Sequence, residues 1–348
     1  MVLQIDQLDS NTFTSTLLFN ADFESGNIGK VKQVSDIEYD IWLRPDSAND
    51  RHRLWFHFAV SNAQPGQRVI LNLINFSKIK SLYRNGASPV VRSLQRPQWA
   101  RIPSSNIFYY ISPRHKKRYV LSIAFSFDSA DDVYYFAYSV PYLYSQLQTY
   151  LDHLEAQDYP FLARTLLGES VEKRRLDLVT ITSPTSDVFE KKTIVITSRV
   201  HPGETPSSWV CQGILGFLCS DHPRAQQLRA TTVIYIIPML NPDGVVLGNY
   251  RSNALGFDLN RQWRDPSPTT HPTIHLTKLL LSRLNPHLYI DIHAHSTQPN
   301  TFIYGNPTES PPTVDDDFVR VMKGAVRGFD LEGCRWDRDE GKRGTGRR

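Results

Sequence analysis

The pattern of apolar residues changes near residue 140, and this change restricts the fold more than any other feature of the sequence. Before it, short segments rich in β-branched and aromatic residues, such as "RLWFHFAV" and "RYVLSIAFSF", are separated by turn clusters such as "RPDSAND" and "NAQPGQ". Segments of this kind form strands, and no long helical pattern interrupts them. Residues 1–139 are therefore predicted to form an antiparallel β-sandwich.

Beyond residue 140, helical and strand-like segments alternate. The first is a predicted helix, Val140 to Gln157, in which leucines recur at helical spacing. Strand-like runs ("LDLVTITS", "TIVITS", "TVIYIIPML", "HLYIDIHAH") then alternate with helical ones ("SSWVCQGILGFLCS", "HPTIHLTKLLLSRL"). This alternation predicts an α/β domain over residues 140–348, with a mixed, mainly parallel sheet flanked by helices. In such sheets the ligand site lies beyond the carboxyl ends of the strands.

Composition argues against several classes of function. The chain is 40% hydrophobic and 21% charged, as in ordinary globular proteins, and its formal net charge of +4 does not indicate nucleic-acid binding. No apolar run approaches the roughly 20 residues that span a bilayer. The cysteines (Cys211, Cys219 and Cys334) lack a disulfide framework, and the N-terminus lacks a secretory signal pattern. We expect a cytoplasmic monomer that binds neither nucleic acid nor membrane.

A histidine and a glutamate three residues apart follow the strand-like run "TIVITS". His201 and Glu204 belong to "SRVHPGETPSS", in which Thr205 is a suitable helix N-cap and Pro206 a suitable first helical residue. The pair therefore occupies a strand-to-helix loop, where both side chains can converge on one ion. Imidazole nitrogen and carboxylate oxygen suit Zn²⁺, which in catalytic sites has three protein ligands and one open position. Such a pair alone is weak evidence, because surface loops also carry it by chance.

A third ligand is expected from another strand end. The segment "YIDIHAHS" places Asp291, His293 and His295 on one face of a strand, since side chains alternate. Periodicity does not choose between the two histidines, and either one could be a hydrogen-bonded histidine without a metal. Their occurrence in one α/β domain with the His201–Glu204 pair favours a single zinc site.

Two further segments offer groups for a substrate. "PMLNPDGV" follows a strand with a tight turn in which Gly244 can adopt a positive φ. "GNYRSNALGFDLNRQW" contains Arg251, Asn260 and Arg261. Guanidinium groups bind carboxylates in a bidentate fork, so these residues could hold a substrate carboxylate. They could equally form surface ion pairs.

Taken in order, "HPGETPSS", "PMLNPDGV", "GNYRSNALGFDLNRQW" and "DIHAHS" followed by "FIYGN" resemble the motifs of zinc carboxypeptidases. In detail they resemble the cytosolic carboxypeptidases, which remove glutamates from tubulin, and "FESGNIGKV", "YDIWLRPD" and "PYLYSQLQTYLD" are also typical of that branch. The resemblance covers nearly the whole chain. It implies a zinc metallocarboxypeptidase that deglutamylates proteins in the cytoplasm, at microtubules or centrioles. Its implied partners are polyglutamylated tubulin tails or other acidic protein tails.

The resemblance also assigns metal ligands. His201, Glu204 and His293 match the three ligands of one zinc ion per chain, and His295 falls where carboxypeptidase A has a tyrosine. Asp258 matches the aspartate that hydrogen-bonds the first histidine ligand and fixes its orientation. The choice between the two histidines is therefore made by the resemblance and not by the spacing.

The implied substrate-binding residues come from two segments. Arg251 matches the arginine that stabilises the oxyanion, while Asn260 and Arg261 match the pair that holds the terminal carboxylate of the substrate. The loop that selects the terminal side chain in the family matches "KRGTGRR" at the end of the chain. Arg347 and Arg348 are therefore candidates for binding a glutamate side chain.

One catalytic group of the family pattern is not found. The general-base glutamate lies in an "SYTxE"-like strand after the "GTGR" loop, where this chain stops, and Glu309, Glu332 and Glu340 lack that context. We therefore expect the C-terminal part of the catalytic domain to be missing, with low stability and weak activity as a result.

Three functions are compatible with these residues. The first is a deglutamylating metallocarboxypeptidase. The second is a protein without the general base that holds polyglutamylated tails and does not cleave them. The third is a zinc deacylase of the aspartoacylase type, which also uses a His-x-x-Glu pair and a distant histidine. The N-terminal β-domain and the segments "NPDG" and "LNRQW" favour the peptidase over the deacylase.

Overall fold

The N-terminal part of the chain forms two stacked five-stranded sheets. The computed structural model describes residues 17–184, 191–306, 317–336 and 345. The sandwich strands are β1 Leu18–Asn20, β2 Lys30–Gln33, β3 Glu38–Trp42, β4 His57–Ser61, β5 Arg68–Leu73, β6 Val90–Ser93, β7 Ala100–Arg101, β8 Ile107–Ser112, β9 Arg118–Ser126 and β10 Tyr134–Ala137. Their order is β1-β4-β10-β6-β7 in one sheet and β2-β3-β5-β9-β8 in the other.

The strand pairing in the sandwich is antiparallel with one exception. β3 and β5 pair in parallel, whereas the other described pairings run antiparallel. The exception has a topological cause, because the chain leaves β3, forms β4 in the opposite sheet and then returns as β5. A parallel pair needs such a crossover and not a hairpin. The predicted antiparallel sandwich is confirmed in its architecture, and this one pair is the difference.

The core of the sandwich consists of the inward-facing aromatic and branched residues of both sheets. The rings of Phe58 and Phe136 stack with their centroids 5.5 Å apart, and Tyr39 and Phe19 pack beside them. All four side chains are buried. Burying each such side chain stabilises the fold by roughly 1.5–3 kcal/mol. This gain explains why two sheets of this composition pack face to face.

The second unit is an α/β domain around a mixed sheet. Its strands are β11 Leu162–Glu169, β12 Arg175–Ile181, β13 Lys192–Ser198, β14 Thr232–Ile237 and β15 Leu288–Ile292. Its helices are α1 Tyr144–Glu155, α2 Thr205–Leu218, α3 Pro223–Thr231, α4 Pro242–Leu247, α5 Pro272–Leu284 and α6 Asp317–Ala325. β13 pairs in parallel with β14 and β15, while β12 pairs antiparallel with β11 and β14. The predicted α/β fold with a mixed sheet is confirmed.

Helices cover both faces of this sheet. On one face, Leu147 and Leu151 of α1 and Leu215 of α2 form a buried cluster with residues of β12 and β14. On the other face, Ile274 of α5 packs with Leu178 and other residues of a second cluster. The helical spacing of leucines predicted α1 correctly. None of the described helices is long and apolar enough to cross a membrane.

The two units contact each other closely along the segment after α4. Trp55 and Leu54 of the sandwich form a small apolar cluster with Tyr250, and the Asn27 side chain donates a hydrogen bond to the Gly248 carbonyl at 2.8 Å. The predicted boundary between residues 139 and 140 stays a prediction. These contacts matter for the site because they hold Gly248 and Tyr250, which come directly before Arg251 in the chain.

Candidate metal centre

The metal ligands predicted from the sequence lie at the carboxyl ends of two adjacent parallel strands. Ser198, the last residue of β13, pairs with Ile292, the last residue of β15. The loop after β13 carries His201 and Glu204, and His293 follows β15 directly. Because both strands run in the same direction, their following loops emerge at one edge of the sheet. The fold therefore brings together three residues that are up to 92 positions apart, 293 − 201.

One nitrogen or oxygen of each of these residues lies within 4.8 Å of the others. Glu204 bridges the two imidazoles: its Oε1 is 2.8 Å from Nδ1 of His201, and its Oε2 is 3.1 Å from Nδ1 of His293. The backbone N–H of Ala294 also donates to Oε2 at 2.9 Å. Two imidazoles and one carboxylate are a donor set that suits a catalytic zinc ion.

Each of the two imidazoles is held on its other nitrogen by a carboxylate. Oδ1 of Asp258 lies 3.3 Å from Nε2 of His201, and Oδ2 of Asp291 lies 2.7 Å from Nε2 of His293. A carboxylate in this position fixes the ring and increases its basicity toward a metal. The resemblance suggested Asp258 but not Asp291. The alternation of side chains in "YIDIHAHS" was the available signal, since it places Asp291 and His293 on one face.

The electrostatics of the cluster favour a cation between the rings. Burial would raise the pKa of Glu204, but the two neighbouring imidazoles hold it well below its usual value. Burial disfavours the charged form of His293, yet Asp291 and Glu204 raise its pKa well above the ordinary value. Asp258 behaves like Glu204: burial opposes ionisation, and His201 with the nearby arginines lowers its pKa. The carboxylates around the two imidazoles therefore stabilise positive charge at this point, whether it is a proton or a metal ion.

The helix after the ligand loop begins one residue earlier than the capping pattern predicted. α2 starts at Thr205, so Glu204 and not Thr205 occupies the N-cap position. The Glu204 side chain makes no capping bond because it turns toward the histidines. The ligand loop thus has a candidate metal ligand at a helix-terminal position, and Pro206 lies in the first turn as expected.

A buried arginine that the sequence did not single out determines the shape of the ligand loop. Arg199 has a positive φ of 57° and is only 2% exposed. Its guanidinium donates to the carbonyl of Pro202 at 2.8 Å and to Oγ of Ser208 at 2.9 Å. Burial lowers the pKa of Arg199 to about 9, although the Glu204 carboxylate opposes this. The arginine thereby ties the residues before the ligands to the first turn of α2.

The prediction that Gly244 adopts a positive φ is wrong. Gly244 lies inside helix α4 and is not among the described residues with positive φ. A Cβ at this position would lie 2.3 Å from Cγ of Pro202 and 2.7 Å from the Ser252 carbonyl oxygen. Glycine is therefore needed for close packing of α4 against the ligand loop.

The predicted substrate-binding residues differ in how closely they approach the cluster. Nε of Arg251 donates to Oδ2 of Asp258 at 2.7 Å, so this arginine shares a carboxylate with His201. Nδ2 of Asn260 lies 3.3 Å from Nε2 of His293. Arg261 is exposed, and its guanidinium donates to the Asn260 carbonyl at 2.8 Å.

Of the other predicted residues, His295 is among the described residues and several are not. Arg347, Arg348, Glu309 and Glu340 lie outside the described residues. His295 is described, two residues beyond the ligand His293, and its Nδ1 accepts a hydrogen bond from the backbone N–H of Gln298 at 3.1 Å. Within the described part of the chain, the carboxylates that contact the imidazoles of His201 and His293 are those of Glu204, Asp258 and Asp291.

An aspartate of the sandwich holds the Arg251 segment in place. Asp46 is 3% exposed, and its carboxylate accepts hydrogen bonds from the backbone N–H groups of Tyr250 at 2.6 Å, Arg251 at 2.8 Å and Ser252 at 2.7 Å. Burial raises the pKa of Asp46, and these N–H groups oppose the rise. The Tyr250 carbonyl in turn accepts from the Gly203 N–H at 2.8 Å. A continuous set of hydrogen bonds thus connects the sandwich to the ligand loop.

Comparison with known sequence families agrees with this geometry. Residues 147–331 match the sequence model of the zinc carboxypeptidase family, and residues 19–139 match that of the cytosolic carboxypeptidase N-terminal domain. The first match spans more than half of the chain and includes all three residues of the metal cluster. The class of protein is therefore that of the zinc carboxypeptidases.

Individual relatives narrow this class. The chain is 52% identical over 342 residues to mouse cytosolic carboxypeptidase 6, covering 95% of this chain and 63% of the relative. It is 48% identical to cytosolic carboxypeptidase 6 of Caenorhabditis elegans, covering 95% of this chain and 75% of the relative. The chain belongs to the cytosolic carboxypeptidase family. It spans somewhat less than two thirds of the mouse protein's length.

A solved structure shows the same fold in both units. The metallo-carboxypeptidase from Burkholderia cenocepacia superimposes with a TM-score of 0.78 at 26% sequence identity. The superposition covers 94% of this chain and 85% of the bacterial one. A sandwich followed by the α/β domain is therefore an arrangement that this chain shares with a metallo-carboxypeptidase.

Proposed function

We propose that this protein is a zinc metallocarboxypeptidase that removes glutamates from the C-termini or side-chain branches of polyglutamylated proteins, tubulin tails among them. The observation that carries the proposal is the cluster of His201, Glu204 and His293, in which both imidazoles are backed by a carboxylate. Family membership supports the peptidase chemistry. We further propose that the protein acts in the cytoplasm, at microtubules or centrioles, since its relatives carry the word cytosolic in their names.

The residues of the cluster would hold one zinc ion per chain. A bound zinc ion activates water and polarises a carbonyl group. Asp258 and Asp291 hold the two rings so that both Nδ1 atoms face Glu204 and the same point in space. The chain's own contribution to binding is therefore a rigid set of donors whose orientation is fixed before a ligand arrives.

Two arginines and an asparagine would orient an acidic substrate. Arg251 is anchored at Nε by Asp258, which leaves the terminal nitrogens of its guanidinium to face a developing oxyanion. Asn260 lies against the ring of His293, and Arg261 is exposed next to it. We propose that Asn260 and Arg261 bind the terminal carboxylate of the substrate.

A second candidate function is binding of polyglutamylated tails without cleavage. Among the described residues, the carboxylates at the imidazoles are Glu204, Asp258 and Asp291, and each is engaged in holding a ring. None of them is available to take a proton from water without releasing its histidine. The described residues thus support the proposed metal and substrate binding, whereas hydrolysis additionally requires a general base.

One experiment separates these functions. The purified chain is loaded with zinc and incubated with a peptide that ends in several glutamates, and released glutamate is quantified by mass spectrometry. We expect one zinc ion per chain and slow glutamate release, both lost in Glu204→Gln. The exposed Glu169→Gln variant is the matched control and should behave like the unaltered protein.

The possible results have distinct meanings. Peptide binding without release in the zinc-loaded chain would favour the binding function. A chain that retains stoichiometric zinc in the Glu204→Gln variant would refute the proposed metal site. Release of free amino acids from N-acylated amino acids, with peptides left intact, would support a deacylase and contradict the proposal.

A further inference from the structure

A cavity of about 440 Å³ lies beside the loop that follows His293, where the sandwich meets the α/β domain. One wall is the short 3-10 helix Leu82–Asn85 of the sandwich, and the other is the loop that follows His293. The two walls are hydrogen-bonded to each other: the Leu82 N–H donates to the Ser296 carbonyl at 3.3 Å, and Nζ of Lys78 donates to Oγ of Ser296 at 2.7 Å. The cavity therefore depends on both units.

The cavity and the metal cluster share one loop. The Ala294 N–H donates to Glu204, and the next residue, His295, lines the cavity together with Thr297 and Gln298. A peptide whose C-terminal residue lies at the cluster can thus place an earlier residue in the cavity, because an extended chain advances about 3.3 Å per residue.

Two basic side chains line the described part of the cavity wall. Lys80 and Arg84 lie on the sandwich side, and none of the described residues that line the cavity is acidic. Among the described residues, no carboxylate forms an ion pair with Lys80 or Arg84. Exposed basic side chains are often merely solvated. Here, however, they lie on a concave surface beside a site for which an acidic substrate is proposed.

The Arg84 side chain is also held in position by aromatic rings. Its guanidinium lies 4.5 Å from the ring centre of Tyr119 and 5.8 Å from that of Tyr109, whose rings stack on each other. A guanidinium that stacks on a ring face keeps its N–H donors at the edge, where they can bind a carboxylate. Arg84 therefore loses less conformational freedom on binding than an unsupported arginine would.

We propose that this cavity binds the carboxylate side chain of an acidic residue that precedes the scissile bond in the substrate. Lys80 and Arg84 supply the charge, and Asn85 and Gln298 supply neutral hydrogen-bonding groups. The inference rests on the proposed function and specifies it further. The sandwich then takes part in substrate selection, and runs of consecutive glutamates bind better than a single terminal glutamate.

The test uses two peptides and the zinc-loaded chain. Both peptides end in glutamate, and the residues before it are all glutamate in one peptide and all glutamine in the other. Fluorescence anisotropy gives both dissociation constants. We expect the unaltered protein to bind the all-glutamate peptide about tenfold more tightly, as two partly exposed charge pairs allow. Because these pairs are exposed to solvent, the preference should shrink as salt is added.

Variants that remove positive charge test whether the cavity causes the preference for the all-glutamate peptide. The double variant Lys80→Gln/Arg84→Gln should reduce it to about twofold or less and leave the affinity for the glutamine peptide unchanged. The control Arg68→Gln/Arg283→Gln removes the same charge from two exposed arginines that do not line the cavity and should keep the preference. The single variant Lys80→Gln, which alters only one exposed side chain, should already reduce the preference about threefold.

Each outcome has one interpretation. A preference that persists in the double variant, or that the control loses equally, overturns the cavity as its source. If both peptides bind the unaltered protein equally, the proposed function stands and the cavity inference alone fails. If neither peptide binds the zinc-loaded protein, the proposed function fails and the inference fails with it.

Discussion

Replacing Asp46 by alanine tests the connection between the sandwich and the ligand loop. The substitution removes a buried carboxylate that accepts three backbone N–H groups at 2.6–2.8 Å. Ser252 is 0% exposed and Tyr250 is 4% exposed, so at least two of these donors would be left without water or another partner. Each buried donor left unsatisfied costs roughly 1–3 kcal/mol.

Two effects reduce the total cost of leaving these donors unsatisfied. The loop can relax, and the variant no longer has to bury a carboxylate whose pKa is raised by burial. We therefore expect a net loss of about 2–4 kcal/mol in the free energy that keeps residues 250–252 closed. The more conservative Asp46→Asn variant retains one oxygen and should lose about half as much, because its NH₂ group faces one of the N–H donors.

Amide hydrogen exchange measures this loss where it occurs. A decrease of about 2–4 kcal/mol in the free energy of local opening accelerates exchange by about 30- to 700-fold. The amides of Tyr250, Arg251 and Ser252 should show this acceleration in Asp46→Ala. Asp50→Ala is the matched control, since Asp50 is exposed in the same loop and carries the same charge. It should change stability by no more than about 0.5 kcal/mol.

The reasoning has a clear point of failure. If these three amides exchange at the unaltered rate in Asp46→Ala, the hydrogen bonds do not support the loop. If Asp50→Ala accelerates them equally, net charge and not hydrogen bonding is the cause. In the first case the hydrogen bonds between Asp46 and residues 250–252 would have no energetic significance.

Three further predictions follow from other parts of the structure. Asp258→Asn should weaken zinc affinity by about 10- to 100-fold in a chelator competition assay, because the ring of His201 loses its carboxylate; unchanged affinity would contradict this role. Burial lowers the pKa of His57 from 6.5 to about 3, so the unfolded state alone takes up a proton as the pH falls below 6.5, and stability should be lost by about 1.4 kcal/mol per pH unit between pH 6 and pH 4. Denaturant titrations should show a shallower dependence in His57→Gln, and an identical dependence would exclude His57 as the cause. Gly244→Ala should lower stability by about 1–3 kcal/mol through contact with Pro202, whereas an unchanged melting temperature would show that the ligand loop accommodates the methyl group.

The local part of the metal site was predictable from the sequence. A strand-like run followed by "HPGETPSS" places His201 and Glu204 in a strand-to-helix loop, and the structure has that loop between β13 and α2. Side-chain alternation in "YIDIHAHS" limited the third ligand to two histidines. Physical reasoning could not choose between them, because both follow the strand and only the path of the loop decides which ring meets Glu204.

Other features were not accessible because they depend on residues distant in sequence. Asp46 and Ser252 are separated by 206 positions, and no local pattern indicates that a turn aspartate will accept N–H groups from another unit. The role of Gly244 was misread for a related reason. A glycine in a turn motif suggests a positive φ, but the actual requirement is close packing against Pro202, which only the tertiary structure shows.

This division between local and distant information has a consequence for how the protein selects its substrate. The residues that would hold the metal are encoded in two short motifs, so the proposed metal binding would be a property of the α/β domain. The groups proposed to recognise an acidic chain are divided between the α/β domain and the sandwich, with Lys80 and Arg84 on the sandwich. A substitution at the contact between the units can therefore alter peptide preference while zinc binding remains. Such a separation of zinc affinity from peptide affinity would distinguish a sandwich that contributes to recognition from one that only stabilises the fold.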